Sequence, residues 1–156
     1  MKLVKQNGNG FQYRLTPQEA HSLRLLVGLF PVAALSPAKI SKSDPEAHER
    51  EKLLNESLAA HRENLKRQAK ALVRPAKFTA SGNHQVYRIS HGTREVMLQI
   101  LNDIRVDSWR VLGEPENLDT CAFELPQDKF KYYYLMYIAG EFEYYFLNLE
   151  GPGGKG

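Results

Sequence analysis

The sequence holds a single cysteine, Cys121, among 156 residues. An internal disulfide is therefore impossible, and zinc sites built on paired thiolates are excluded. No apolar run approaches the roughly 20 residues that a membrane-spanning helix needs. The first residues carry Lys2 and Lys5 but no apolar core and do not read as a secretion signal, so the expected location is the cytoplasm. A dominant charge is lacking as well. Twenty-one Lys and Arg against 18 Asp and Glu leave +3, too small an excess to demand a nucleic acid or a membrane surface as partner. The five histidines never stand at i and i+4 on one helix, and HExxH, GxxxxGK[ST], GxSxG and a strand-following GxGxxG are all missing. Zinc hydrolysis, phosphate-cradling loops and a serine nucleophile thus have no candidate. Cys121 stands among acids, which disfavours a nucleophilic thiolate. Taken together, these absences predict a protein that is not an enzyme and holds no cofactor or metal.

What is present is the composition of an ordinary globular domain, 42% hydrophobic and 25% charged. A chain of this length buries roughly 70% of its unfolded surface. One domain over residues 1–150 is expected, with residues 151–156 as a disordered glycine-rich tail.

The runs KLVKQ (2–6) and FQYRL (11–15) flank Asn7-Gly8-Asn9-Gly10, which reads as a β-hairpin. Thr16, Pro17 and Glu19 form a capping box with proline at the first helical position. The helix that follows buries Ala20, Leu23, Leu26, Val27 and Phe30, and Pro31 and Pro37 end or kink it. Ser36–Ser43 reads as loop. Asp44, Pro45 and Glu46 open a second helix running to about Val73, with a narrow stripe of Leu54, Leu58, Leu65, Ala69 and Leu72 that His61 interrupts. Its length exceeds what so small a domain covers, so part of it is expected to project or meet a partner. Pro75–Asn83 reads as a connection and Gln85–Ile89 as a third strand. Ser90 caps a third helix with the stripe Met97, Ile100, Leu101, Ile104, Val111 and Leu112, stopped by Gly113 and Pro115. Glu114–Leu125 reads as an acidic loop. Pro126 is expected to open a fourth helix, apolar or aromatic on every side from Tyr133 to Ala139 and so buried among the others. The predicted class is α+β, mostly helical, with four main helices and a small three-stranded antiparallel sheet.

Three groups of side chains are candidates for function. Asn102, Asp103 and Arg105 interrupt the third helix as LNDIR. Their expected role is structural, with Arg105 paired to Glu141 or Glu143, Asn102 bonded to backbone, and Trp109 one turn on, available to stack on the guanidinium. Arg62, Lys66, Arg67, Lys70, Arg74 and Lys77 have only Glu63 as local counter-charge. They read either as a helix C-terminus enriched in cations or as a face for phosphate or an acidic partner. The leucines at 54 and 58, with Arg62, Lys66, Lys70 and Arg74, are the candidate interaction residues. The many tyrosines near the C-terminus read as core rather than as base-stacking platforms. A protein partner or self-association is expected, with nucleic acid as a weaker alternative and no membrane.

Three segments carry a resemblance. GFQYRLTPQEAHSLRLLVGL (10–29), the strand and capped helix from Tyr87 to Gly113 with its LNDIR, and the aromatic helix from Tyr132 to Leu149 resemble the bacterial domain-of-unknown-function family numbered two thousand and seventeen. The asparagine, aspartate and arginine of that family's pattern fall on Asn102, Asp103 and Arg105. Ser36–Phe78 departs from the pattern. The resemblance implies no activity. It implies a setting in regulated proteolysis, because genes of the family commonly neighbour that of the Clp protease adaptor.

Overall fold

The computed structural model describes residues 1–33 and 45–148. Pro37, the Ser36–Ser43 loop, the Asp44 cap and the glycine-rich tail lie outside the described residues. The class is α+β, with five α-helices and one four-stranded antiparallel sheet among the described residues, rather than the expected four and three.

The sheet is built from β1 (Lys2–Asn7), β2 (Gly10–Leu15), β3 (Phe78–Ser81) and β4 (His84–Ile89), in the order β1-β2-β4-β3. Period-two alternation sets its inner face. Phe11, Tyr13 and Leu15 on β2 are buried, as are Tyr87 and Ile89 on β4, and Phe11 faces Ile89 across the ladder as Tyr13 faces Tyr87. The expected connection at Pro75–Asn83 contains β3 instead. Gly82, at φ 58°, turns the chain with Asn83 so that Ser81 pairs with His84, as two-residue hairpin turns require. Only Phe78 of this edge strand packs, stacked on Tyr87 with ring centroids 4.7 Å apart. Too little of it alternates to have marked a strand.

Helix α1 (Pro17–Gly28) begins with the predicted box: Glu19 N donates to Thr16 Oγ1 at 3.1 Å, and Thr16 N donates to Glu19 Oε1 at 3.0 Å. It ends before Pro31. Helix α2 (Pro45–Leu72) has 28 residues, about 42 Å at 1.5 Å per residue. Its stripe enters the core only at Leu65, Ala69 and Leu72. Helix α3 (His91–Val111) is capped by Ser90, which accepts from Thr93 N, and it buries Met97, Ile100, Leu101 and Ile104. Helix α4 (Leu118–Glu124) occupies the segment expected to be an acidic loop. Its cap is Asn117, whose Oδ1 accepts from Asp119 N at 3.0 Å and Thr120 N at 3.3 Å. Pro126 opens only a 3₁₀ turn, Gln127–Lys129, and α5 (Phe130–Leu147) starts after it.

The expectation that this last helix is buried on every side is corrected. Met136, Ala139, Phe142 and Phe146 point inward, whereas Tyr134, Tyr137, Tyr144 and Leu147 are more than half exposed. A tyrosine ring tolerates this placement because its hydroxyl stays in water while part of the ring is covered.

Two facing tyrosines tie the sheet to the helix ends. The Tyr87 hydroxyl donates to Leu72 O at the end of α2, at 2.8 Å. The Tyr13 hydroxyl donates to Phe146 O near the end of α5, at 3.3 Å, and Arg94 Nε donates to the same carbonyl at 2.8 Å. Last-turn carbonyls have no partner inside their own helix, so these donors satisfy groups that burial would otherwise strand. Burial pushes both phenols above their ordinary pKa.

Candidate binding groove

On a helix, successive side chains turn by about 100°, so Asn102, Arg105 and Trp109 share one face while Asp103 leaves it. The polar cluster LNDIR therefore divides between two sites. Leu101 and Ile104 go to the core. Asn102, Arg105 and Trp109 line a cavity of about 470 Å³ beside Pro115, Glu116 and Leu118. Arg105 reaches across to α5, where Nη1 donates to Glu143 Oε2 at 2.9 Å. Of the two predicted acids, Glu143 is the partner. The arginine stem passes beside Gly140, where a Cβ would lie in ordinary contact with Arg105 Nε at 3.6 Å.

Stacking of Arg105 on Trp109 is not formed. The indole Nε1 instead donates to Pro115 O at 3.0 Å, which holds the ring against the chain leaving α3. The Arg105 side chain is 45% exposed while that of Glu143 is 12% exposed, so the pair is solvated on the arginine side only.

A second, contiguous cavity of about 550 Å³ lies along α5, walled by Tyr133, Tyr137, Tyr144 and Tyr145 and closed on the other side by Leu118 and Asp119 of α4. The two cavities share Arg105, Leu118 and Met136. The groove carries no signal of its own in the sequence, where its tyrosines look like core and its α4 wall like loop. Glu141 stands one turn after Tyr137, and a hydrogen bond from the phenol to its carboxylate pushes the Tyr137 pKa up.

Asp103 faces the other way, into a seam between α2 and α3. There Arg62 Nη2 lies 2.7 Å from Asp107 Oδ2, with the two side chains 13% and 7% exposed. Arg62 also donates to Ala33 O and covers the Phe30 ring at 5.7 Å. Arg62 is thus an internal link, not part of an exposed basic face. Lys66 is half-buried, while Arg67, Lys70, Arg74 and Lys77 are exposed. His61, expected only to interrupt a stripe, lies with Nε2 2.9 Å from Gln99 Nε2 on α3.

Burial raises the Asp103 pKa above 3.8, and the neighbouring Asp107 carboxylate raises it further against weaker pulls from Arg62, His61 and Arg110. The folded state then holds its proton more tightly than the unfolded chain. Its contribution to stability is full below the unfolded pKa and is lost as pH rises through the folded one. Asp103→Asn should therefore melt at a higher temperature than the parent at pH 7, and the advantage should vanish near pH 3, as paired thermal scans would reveal.

Among the described residues no group of three or more His, Cys, Asp and Glu could hold a metal ion, and no helix is long and apolar enough to cross a membrane. No family model, no curated protein and no solved structure matches the chain.

Proposed function

We propose that this chain is a non-catalytic, cytosolic interaction protein with a regulatory role, and that the N-terminal half of α2 is its contact element. One observation carries the reading. Leu53, Leu54 and Leu58 are 65%, 42% and 37% exposed on the same helix whose later residues Leu65, Ala69 and Leu72 are buried. Neighbouring exposed leucines on a charged helix form the kind of surface that gains burial against another chain. The resemblance to the family named above adds regulated proteolysis as the setting.

Changing Leu54 and Leu58 together to Asp should lower the mass in solution or abolish partner capture, with the melting temperature nearly unchanged. Surface positions of this kind are expected to shift stability by about 0.5 kcal/mol or less each. Light scattering with thermal melts checks both. A destabilised variant of a parent that is monomeric at every concentration would overturn the reading and leave α2 as scaffold.

Nucleic acid is the second reading. It is favoured by the exposed Lys70 and Arg74 beside Lys66, and weakened because Arg62 is held by Asp107. On the first reading nucleic-acid affinity at physiological salt is micromolar or poorer. Tight binding that falls steeply with salt and is lost on replacing Lys66 and Lys70 would favour the second, and partner capture repeated with nuclease also separates the two.

A further inference from the structure

A wall of tyrosine rings and an excess of carboxylates meet in the groove between α3, α4 and α5. Asp119 and Glu141 stand on the larger cavity and Glu116 on the smaller. None of the three is in a salt bridge among the described residues, whereas the one cation on either wall, Arg105, is neutralised by Glu143. The groove thus carries an uncompensated negative charge against an aromatic lining. The face of a phenol ring is itself electron-rich and attracts an ammonium or guanidinium placed within about 6 Å of its centre. An anion would face three carboxylates, and a neutral apolar group would strip water from them with nothing in exchange.

We infer that this groove binds a lysine- or arginine-bearing segment of a protein partner. The tyrosine faces cover the methylene stems, and Asp119 and Glu141 take the charge. Its form suits a segment rather than a compact small molecule, because the cavities of about 550 and 470 Å³ run into one another past Leu118 and Met136 and open to solvent where Tyr137 and Tyr144 are more than half exposed. This surface is separate from the leucines of α2, so either can fail without the other.

The chain supplies its own reporter. Trp109 is its one tryptophan and lines the smaller cavity. Titrating the full chain with an acetylated, amidated Lys-Arg-Gly-Arg-Lys peptide should give a saturable change in indole emission that weakens with added salt. Asp119→Asn with Glu141→Gln should weaken binding by roughly tenfold, as should Tyr137→Leu with Tyr144→Leu. Both pairs are exposed, so melting temperatures should match the parent. A Glu-Asp-Gly-Asp-Glu peptide should give no change. No saturable signal at millimolar basic peptide, equal binding of the acidic peptide, or undiminished affinity in both variant pairs would overturn the inference. So would a drop in parent mass, without peptide, on making the carboxamide pair, since the groove would then hold the basic end of α2 from a second copy.

Discussion

Replacing Gly10 with Ala is expected to destabilise the fold by about 4 kcal/mol or more, which lies in the exceptional range for a single substitution. The reason is local and has two parts. Gly10 sits at φ 135°, a conformation that L side chains rarely adopt. A Cβ there would also lie 2.2 Å from Ile89 O and 2.8 Å from Ser90 Cα. Both obstacles are backbone, so no rotamer change relieves them. Ile89 is held by its pairing with Phe11, and Ser90 is the cap of α3. Making room therefore means pulling β2 from β4 or shifting the start of the helix that carries one wall of the groove.

At about 2–4 °C per kcal/mol for a chain of this size, the melting temperature should fall by roughly 10 °C or more. Gly8, two residues earlier in the same turn, is the control. A Cβ there meets nothing within 4 Å, so Gly8→Ala should stay within about 0.5 kcal/mol of the parent. If the two variants melt together, β2 does not approach β4 as described.

The hairpin containing Gly10 was legible because its signals are local: two alternating runs around asparagines and glycines. The α1 box and the α3 stripe were legible for the same reason. Helix α4 was not, since its seven residues bury nothing and so carry no apolar period to detect. Asn117 followed by Asp119 was the cap signal available there. Strand β3 hid in the same way, as an edge strand with one packing side chain. The signal that marks the strand is Gly82-Asn83, a two-residue hairpin turn.

The candidate residues divide on similar lines. That Asp103 points away from Asn102, Arg105 and Trp109 follows from helix periodicity alone and was within reach of the sequence. The burial of Arg62 was not, because Asp107 lies 45 residues further along the chain and no spacing rule links them. The tyrosines of α5 look uniformly apolar by composition. Only the packing of α5 on α3 decides which of them line the groove.

The largest effect expected at a charged site is at Asp107. Asp107→Ala should cost about 3 kcal/mol, because it takes away the carboxylate bonded to Arg62, whose side chain is 13% exposed. Arg62 keeps its contacts to Ala33 O and the Phe30 ring, which carry no charge, and Asp103 is the carboxylate left in the seam; its burial raises its pKa, so it replaces Asp107 only in part. Much of this cost is the penalty for stranding a charge rather than the net worth of the pair. Replacing both partners, as Arg62→Met with Asp107→Leu, should accordingly recover most of the loss, and denaturant titrations of the two single variants and the double variant measure it. The pair also fixes where α2 leaves the core, between the buried Leu65 and the exposed Leu58. Its loss should loosen the helix that presents Leu54 and Leu58, so Asp107→Ala should weaken association even where enough folded protein remains, whereas the apolar double variant should retain it. A cost near zero for Asp107→Ala would mean that Arg62 regains water on losing its partner, and that α2 is held in place by Leu65, Ala69 and Leu72 with the His61–Gln99 contact.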